Sequence, residues 1–393
     1  MAVLLRVLSP ALLGAAVSAE LQAHFLGPDT GYPLARCLDG SPALYYLSPG
    51  YDSGKDKHMI FFQGGGYCGS DADCLDRATD SFLGSTSDDD LTINKYESSG
   101  TQDGFWRDTN ENPLMHNWNH VFVRYCDGGY YSGDLLEPKI VDGKELFYRG
   151  KYITEALFKD LAPKLTAATD IVVSGCSAGA MRIYAHLDAM RTMLPSTARV
   201  VGYADSGFFM ATDAFSAKKE YLVKGHNGTA LFNPECVKDH ASEPHKCILA
   251  SVSAAYLKTP LFAFQSRYDF DQLEGETDEA CRESEQCVNN YAADLSAKLE
   301  EHLVGPHGYF TDSCERHCWW NKGYSGVIPS SGPRDDASGL TNLRAFKTWY
   351  EGGTAAYNQA AVPSCVECCH GKSTPARGLE AMLGSDVEDM FML

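Results

Sequence analysis

Short, almost wholly apolar runs recur along this chain, separated by polar, glycine-rich turns and by stretches whose apolar residues fall at helical steps. Residues 58–63 form one such run and stop at Gly64-Gly65-Gly66; residues 120–125 form another and stop at Cys126-Asp127-Gly128-Gly129. The same pattern returns at 171–174, 200–204 and 261–265. Runs of this length without polar alternation mark strands covered on both faces. Between them, residues 153–165 and 178–193 carry helical spacing, and 289–303 carries it again. The alternation predicts an α/β fold with a mostly parallel sheet flanked by helices.

Two polar stretches, 84–104 and 223–244, read as long loops, which in a compact enzyme serve as lids or substrate-binding walls. No internal repeat and no Pro/Ser-rich linker divides the 393 residues, so one elaborated domain over 20–393 is expected, with a cysteine-rich segment from Pro363 onward. Residues 1–19 read as a secretory leader: Arg6, then Val7, Leu8, Ala11, Leu12 and Leu13, then a small-residue Val17-Ser18-Ala19 cleavage site. No later stretch approaches the roughly 18 apolar residues of a membrane span. The tail is too short for a lipid-anchor signal. A soluble, exported protein is therefore expected.

Fourteen cysteines fit export, where an oxidising compartment lets them pair. Proximity suggests Cys68 with Cys74, Cys236 with Cys247 and Cys281 with Cys287, while Cys314, Cys318, Cys365, Cys368 and Cys369 are expected to tie the last segment to the body. Cys365-x-x-Cys368-Cys369-His370 lacks the second CxxC of a zinc site, so no metal is expected. Asn227-Gly228-Thr229 is a glycosylation sequon. A net charge of −19 disfavours nucleic acid as a partner. Asp88-Asp89-Asp90 and the acidic tail around Asp386 read as solvated surface. At long range this charge repels polyanions, which favours neutral or ester-capped polymers as substrates.

The candidate chemistry centres on Gly175-Cys176-Ser177-Ala178-Gly179, set directly behind one apolar run and ahead of a helical stretch. This is the setting of a nucleophile elbow, where a side chain on either glycine would collide with the neighbouring strand or helix. A serine hydroxyl needs a histidine to take its proton and a carboxylate to orient that histidine. In sheet hydrolases acid and histidine follow the nucleophile in that order. Asp269 is the best-placed acid because it follows the 260–265 run; Asp205 and Asp271 are alternatives. His302, His307, His317 and His370 all lie further on. His317, between Cys314 and Cys318, and His307 remain open on order alone. The glycines at 64–66 suit an oxyanion loop, joined by the amide of Ala178. Cys176 points away from the elbow and reads as buried or disulfide-bonded. Tyr67, Tyr130, Tyr131, Trp319 and Trp320 offer flat apolar faces, though each alone is better read as packing.

Six blocks in order resemble the pectin acetylesterase and Notum family of carboxylesterases: FFQGGGYC (61–68), NWNHVFVRYCDGGYYSGD (117–134), VVSGCSAGA (172–180), ADSGFF (204–209), FQSRYDFDQL (264–273) and YFTDSCERHC (309–318). The resemblance covers roughly residues 35–320. It implies an α/β-hydrolase-like fold, cofactor- and metal-free ester hydrolysis, Ser177 as nucleophile, Asp269 as acid, His317 as base, and an oxyanion hole from the N–H groups of Gly65, Gly66 and Ala178. The chain departs from the family pattern at Gln63, where glutamate is usual, at Ala180, where glycine is usual, and around Tyr67, where tryptophan is common. These departures bear on substrate choice. The expected function is a secreted serine carboxylesterase acting on O-acetyl groups of a cell-wall polysaccharide. Removal of a fatty acyl ester from a protein, or a silent carbohydrate-binding role, are the alternatives.

Overall fold

The apolar runs pair edge to edge into one nine-stranded sheet. The computed structural model describes residues 22–79, 83–87, 107, 109, 112–318 and 342–358. In chain order the strands are β1 Gln22–Leu26, β2 Ala43–Ser48, β3 Lys57–Phe62, β4 Asn119–Val123, a separate hairpin β5 Lys139–Val141 and β6 Lys144–Leu146, then β7 Asp170–Cys176, β8 Arg199–Asp205, β9 Leu261–Ser266, β10 Gly308–Asp312 and β11 Ala356–Asn358. The sheet runs β1-β2-β4-β3-β7-β8-β9-β10-β11. β1 and β2 are antiparallel to their neighbours, and every pair from β4 onward is parallel.

Strand pleating sends alternate side chains to opposite faces, and both faces are covered. From β3, Ile60 and Phe62 join one core while Met59 and Phe61 join the other; β7 divides Ile171 and Val173 from Val172 in the same way. Helices α1 Gly150–Leu161 and α2 Ala178–Thr192 fill the first face. The second is closed by α5 Asn342–Tyr350, whose Phe346 and Trp349 meet Phe262 of β9 and whose Phe346 also meets Tyr203 of β8. Truncating one fully buried aliphatic side chain here, such as Leu187 on α2, costs about 2–5 kcal/mol.

Each of the five expected strands and three expected helices is present, with ends moved by local chemistry. The helix expected at 289–303 is α4, Glu285–His302, because the Ser284 hydroxyl accepts the Cys287 amide and starts it early. Residues 223–244 are not one continuous loop. They contain a short helix, Pro234–Asp239, started by the Asn233 side-chain oxygen accepting from the Glu235 and Cys236 amides and stapled by the Cys236–Cys247 disulfide. The expected loop at 84–104 lies outside the described residues beyond Ser87. β1, β2, β10, β11 and the hairpin were not expected. β1 is an edge strand exposed along most of its length, and β5, β6 and β11 have three residues each, too few for a readable period.

The register places the loops that carry the candidate residues together. Phe62 pairs with Gly175, Cys176 with Asp205, and Ser266 with Asp312, so the segments after β3, β7, β8, β9 and β10 all leave the carboxyl edge of the sheet. That edge is where open parallel sheets place their sites.

Candidate active site

The elbow after β7 is made by close backbone approach. Ser177 sits at φ 54°, ψ −124°, a conformation that is costly for a residue with a side chain. A Cβ on Gly179 would lie 2.1 Å from the Phe62 carbonyl oxygen, and one on Gly175 would lie 2.5 Å from the Gly179 backbone. Both glycines are therefore demanded by neighbouring main chain. The Ser177 amide donates to the Asp205 carbonyl at 3.1 Å, and α2 begins at Ala178.

The glycine loop after β3 lies against this elbow. A Cβ on Gly64 would come within 2.9 Å of the Ser177 Cβ and 2.6 Å of the Cys176 carbonyl oxygen. Gly65 and Gly66 take φ of 139° and 68°, values that favour glycine. Their carbonyls are held from behind: Arg77 donates to Gly65 and the Tyr125 hydroxyl donates to Gly66, the latter at 3.0 Å. Among the described residues no acceptor meets the amides of Gly65 or Gly66. As the first residue of α2, Ala178 likewise has an N–H without an intrahelical acceptor. Gln63 accepts the Tyr125 amide at 3.0 Å, fixing the strand end from which the loop departs.

After β9, Asp269 caps helix α3, Phe270–Glu276, by accepting the amides of Asp271 and Gln272. Its two oxygens each lie 2.8 Å from His317 Nδ1, and the carboxylate is fully buried. His317 Nε2 is buried, has no hydrogen-bond partner among the described residues, and lies 3.6 Å from Asp271 Oδ2. A carboxylate thus stands beside each ring nitrogen. Burial lowers the imidazolium pKa, but Asp269 and Asp271 outweigh it and push it up to about 9. For Asp269, burial raises the carboxyl pKa, and His317 and the Gln272 amide work against that rise.

The histidine loop is tied to the elbow. Cys318, next to His317, is disulfide-bonded to Cys176, next to Ser177. The Cys318 amide also donates to the Ser206 hydroxyl at 3.1 Å, so residues 205 and 206 hold the elbow on one side and the histidine loop on the other. The expectation that Cys318 anchors the C-terminal segment is corrected: its partner lies 142 residues earlier in the chain, a contact that spacing cannot reveal. Cys314 is disulfide-bonded as well. The expected pairs Cys68–Cys74, Cys236–Cys247 and Cys281–Cys287 are present, and Cys37–Cys126 is an additional one. Two cysteine–histidine clusters, around His226 and His317, are disulfides beside an imidazole, so their sulfurs are not available to a metal.

The other candidates separate from this cluster. His307 precedes β10 at the opposite edge of the sheet, where its Nδ1 accepts the Leu261 amide at 3.3 Å, and His302 closes α4. His370, Trp319 and Trp320 lie outside the described residues. Tyr130 and Tyr131 are core residues, and Tyr131 donates to the Gln63 carbonyl at 3.0 Å. Asp205 closes β8 beside the elbow, where it accepts from the Ser206 hydroxyl at 3.0 Å. Ser177 Oγ and His317 Nε2 share no hydrogen bond in this structure. Catalytic hydrogen bonds are often long in free enzymes and tighten with substrate.

Comparison with known proteins places the chain in a family. The pectinacetylesterase family model matches residues 26–370. The chain belongs to the pectinacetylesterase family. It is 28% identical to pectin acetylesterase 7 of Arabidopsis thaliana over 371 residues, covering 86% of this chain and 90% of that protein. Pectin acetylesterase 5 of the same plant is 30% identical over 309 residues, covering 72% of this chain and 70% of that protein. The palmitoleoyl-protein carboxylesterase NOTUM of Drosophila melanogaster is 28% identical over 301 residues, 72% of this chain and 42% of that protein. In fold, the structure matches the Wnt deacylase Notum from Drosophila with a TM-score of 0.73 at 23% identity, covering 89% of this chain and 99% of the other. The family's members include carboxylesterases, and the α/β-hydrolase fold expected from the sequence is the fold observed.

Proposed function

We propose that this protein is a serine carboxylesterase that removes O-acetyl groups from a polysaccharide, with Ser177 as nucleophile, His317 as general base and Asp269 as the carboxylate that orients it. One observation carries the reading: Asp269 fixes His317 Nδ1 while a disulfide between Cys176 and Cys318 joins the residues flanking Ser177 and His317, leaving Nε2 without a partner. Ser177 Oγ attacks the ester carbonyl carbon as its proton passes to Nε2. The carbonyl oxygen becomes an oxyanion facing the amides of Gly65, Gly66 and Ala178. The tetrahedral intermediate then expels the sugar alkoxide, which takes the proton from Nε2. Water repeats the sequence on the acetyl-enzyme, releasing acetate and restoring the serine.

The acetyl and polysaccharide assignments draw support from the named activities of the plant relatives. Export draws support from at least five disulfides, which persist in oxidising compartments, and among the described residues no helix is long and apolar enough to cross a membrane. Asn227 is exposed, as a glycan acceptor must be.

The test is hydrolysis of p-nitrophenyl acetate against p-nitrophenyl octanoate by oxidised protein. Acetate is expected to be preferred by about tenfold or more in kcat/KM. Preference for octanoate transfers the substrate to a fatty acyl ester, and no hydrolysis of either leaves a binding role.

A further inference from the structure

Lys219 is a buried lysine with no obvious reason to be there. Only 6% of its surface is exposed, and among the described residues its ammonium makes neither a hydrogen bond nor an ion pair. Instead, Nζ lies 4.1 Å from the centre of the Phe215 ring, 4.9 Å from Tyr67 and 5.5 Å from Tyr130. Ring faces attract a cation but satisfy none of its three donors. An ammonium held among rings is costly to keep charged unless an anion joins it.

The cage belongs to the wall of the proposed active site. Tyr67 follows Gly66 of the glycine loop and stacks on Tyr130 at 5.1 Å. On the other side Phe215 stacks on Phe209 at 5.2 Å, and Phe209 presents its edge to His317 at 6.4 Å. Lys219 therefore sits midway along a continuous aromatic wall from the glycine loop to the imidazole. The charged groups acting on it are Lys218, Asp271 and Glu276, and none of the carboxylates reaches ion-pair distance.

We propose that Lys219 is a specificity-determining residue that receives a carboxylate carried by the sugar next to the scissile ester, so that a free-acid unit is hydrolysed in preference to its methyl ester. The proposal rests on the esterase reading above and deepens it. An O-acetylated uronate unit presents such a carboxylate, and esterification at C6 removes it. Burial, reinforced by Lys218 and opposed by Asp271 and Glu276, pushes the ammonium down to about 7, and an incoming anion would restore the charged form. The protein's net charge of −19 repels a polyanion at long range, whereas one buried cation rewards a single carboxylate at contact. The two effects act at different distances: specificity comes from the contact, and raised salt should speed capture of the polymer without abolishing the preference.

The test compares an O-acetylated methyl galacturonoside with its C6 methyl ester, two substrates that differ by one negative charge. Wild type is expected to favour the acid in kcat/KM by about tenfold or more. Lys219→Met should erase that ratio and Lys219→Arg should keep part of it. Reading a ratio cancels any general loss of activity, and replacing a buried cation by a thioether should not lower the melting temperature. A ratio near one in wild type, or an unchanged ratio in Lys219→Met, overturns the proposal. If wild type hydrolyses neither compound, the esterase reading fails. Calorimetric binding of galacturonate and its methyl ester to wild type then decides on Lys219: equal binding overturns it.

Discussion

The elbow at Ser177 and the loop at His317 bring two halves of the proposed site together by different means. Around Ser177 the geometry is local: strand, turn and helix are consecutive, and the glycines at 175 and 179 exist because Phe62 and the helix backbone leave no room for a Cβ. Around His317 the geometry is imported. The loop is held by Asp269 from another strand end, by Ser206 from a third, and by a disulfide to Cys176. Chemistry can therefore be lost at the first region by steric intrusion, and at the second by cutting a distant tie.

The largest expected effect is on the proposed nucleophile. Ser177→Ala should lower kcat for p-nitrophenyl acetate by about 10⁴-fold or more with an unchanged melting temperature, since only a hydroxyl is removed. Gly179→Ala tests the steric claim next: a methyl group 2.1 Å from a backbone oxygen forces strand and helix apart, so thermal unfolding should show a loss of at least about 2 kcal/mol along with the activity. Tolerance of this alanine would remove the basis for calling the elbow sterically determined.

Cutting the tie should be milder for the chemistry than removing the nucleophile. A Cys176→Ala/Cys318→Ala double variant is expected to lose about 2–4 kcal/mol of stability and about 10–100-fold in kcat/KM, with Asp269 still holding the imidazole. Unfolding in denaturant and steady-state kinetics separate the two losses. Unchanged kinetics would mean that the bridge serves the fold and not the site.

The smallest expected effect concerns Asp271. With the His317 value raised to about 9, the proposed base becomes available only as pH climbs toward that value, so kcat/KM should rise through the alkaline range and then level. Stability should move the other way. A folded value above the ordinary 6.5 gives a contribution fully present below about 6.5 and lost as pH rises through about 9. Asp271→Asn, which removes the charge 3.6 Å from Nε2, should shift the kinetic inflection downward by about one unit or less, because that carboxylate is partly exposed and screened. A stationary inflection would show that Asp269 alone sets it.

The same contrast explains what could be read from the sequence. The central strands and the elbow were legible because their causes sit within a few residues: apolar runs, then glycines at fixed offsets. Asp269 could be favoured because it follows a convincing strand. His317 could not be separated from His307 by spacing, since what distinguishes them is the edge of the sheet they occupy and a crosslink 142 residues long. The family resemblance pointed to His317 where the local pattern could not. Lys219 gave no signal at all: its neighbours Lys218 and Glu220 look like ordinary surface, and its burial arises only when Tyr67, Tyr130 and Phe215 close around it. β10 was missed because Gly308–Asp312 is short and ends in polar residues.

The convergence of residues 177, 269 and 317 into one catalytic unit is tested most directly by fluorophosphonate labelling, with the modified peptide located by mass spectrometry. The label is expected on Ser177 in wild type, absent from Ser177→Ala, and slowed by several orders of magnitude in His317→Ala. Labelling of Ser177 at the wild-type rate in His317→Ala, or a label on any other residue, would contradict it.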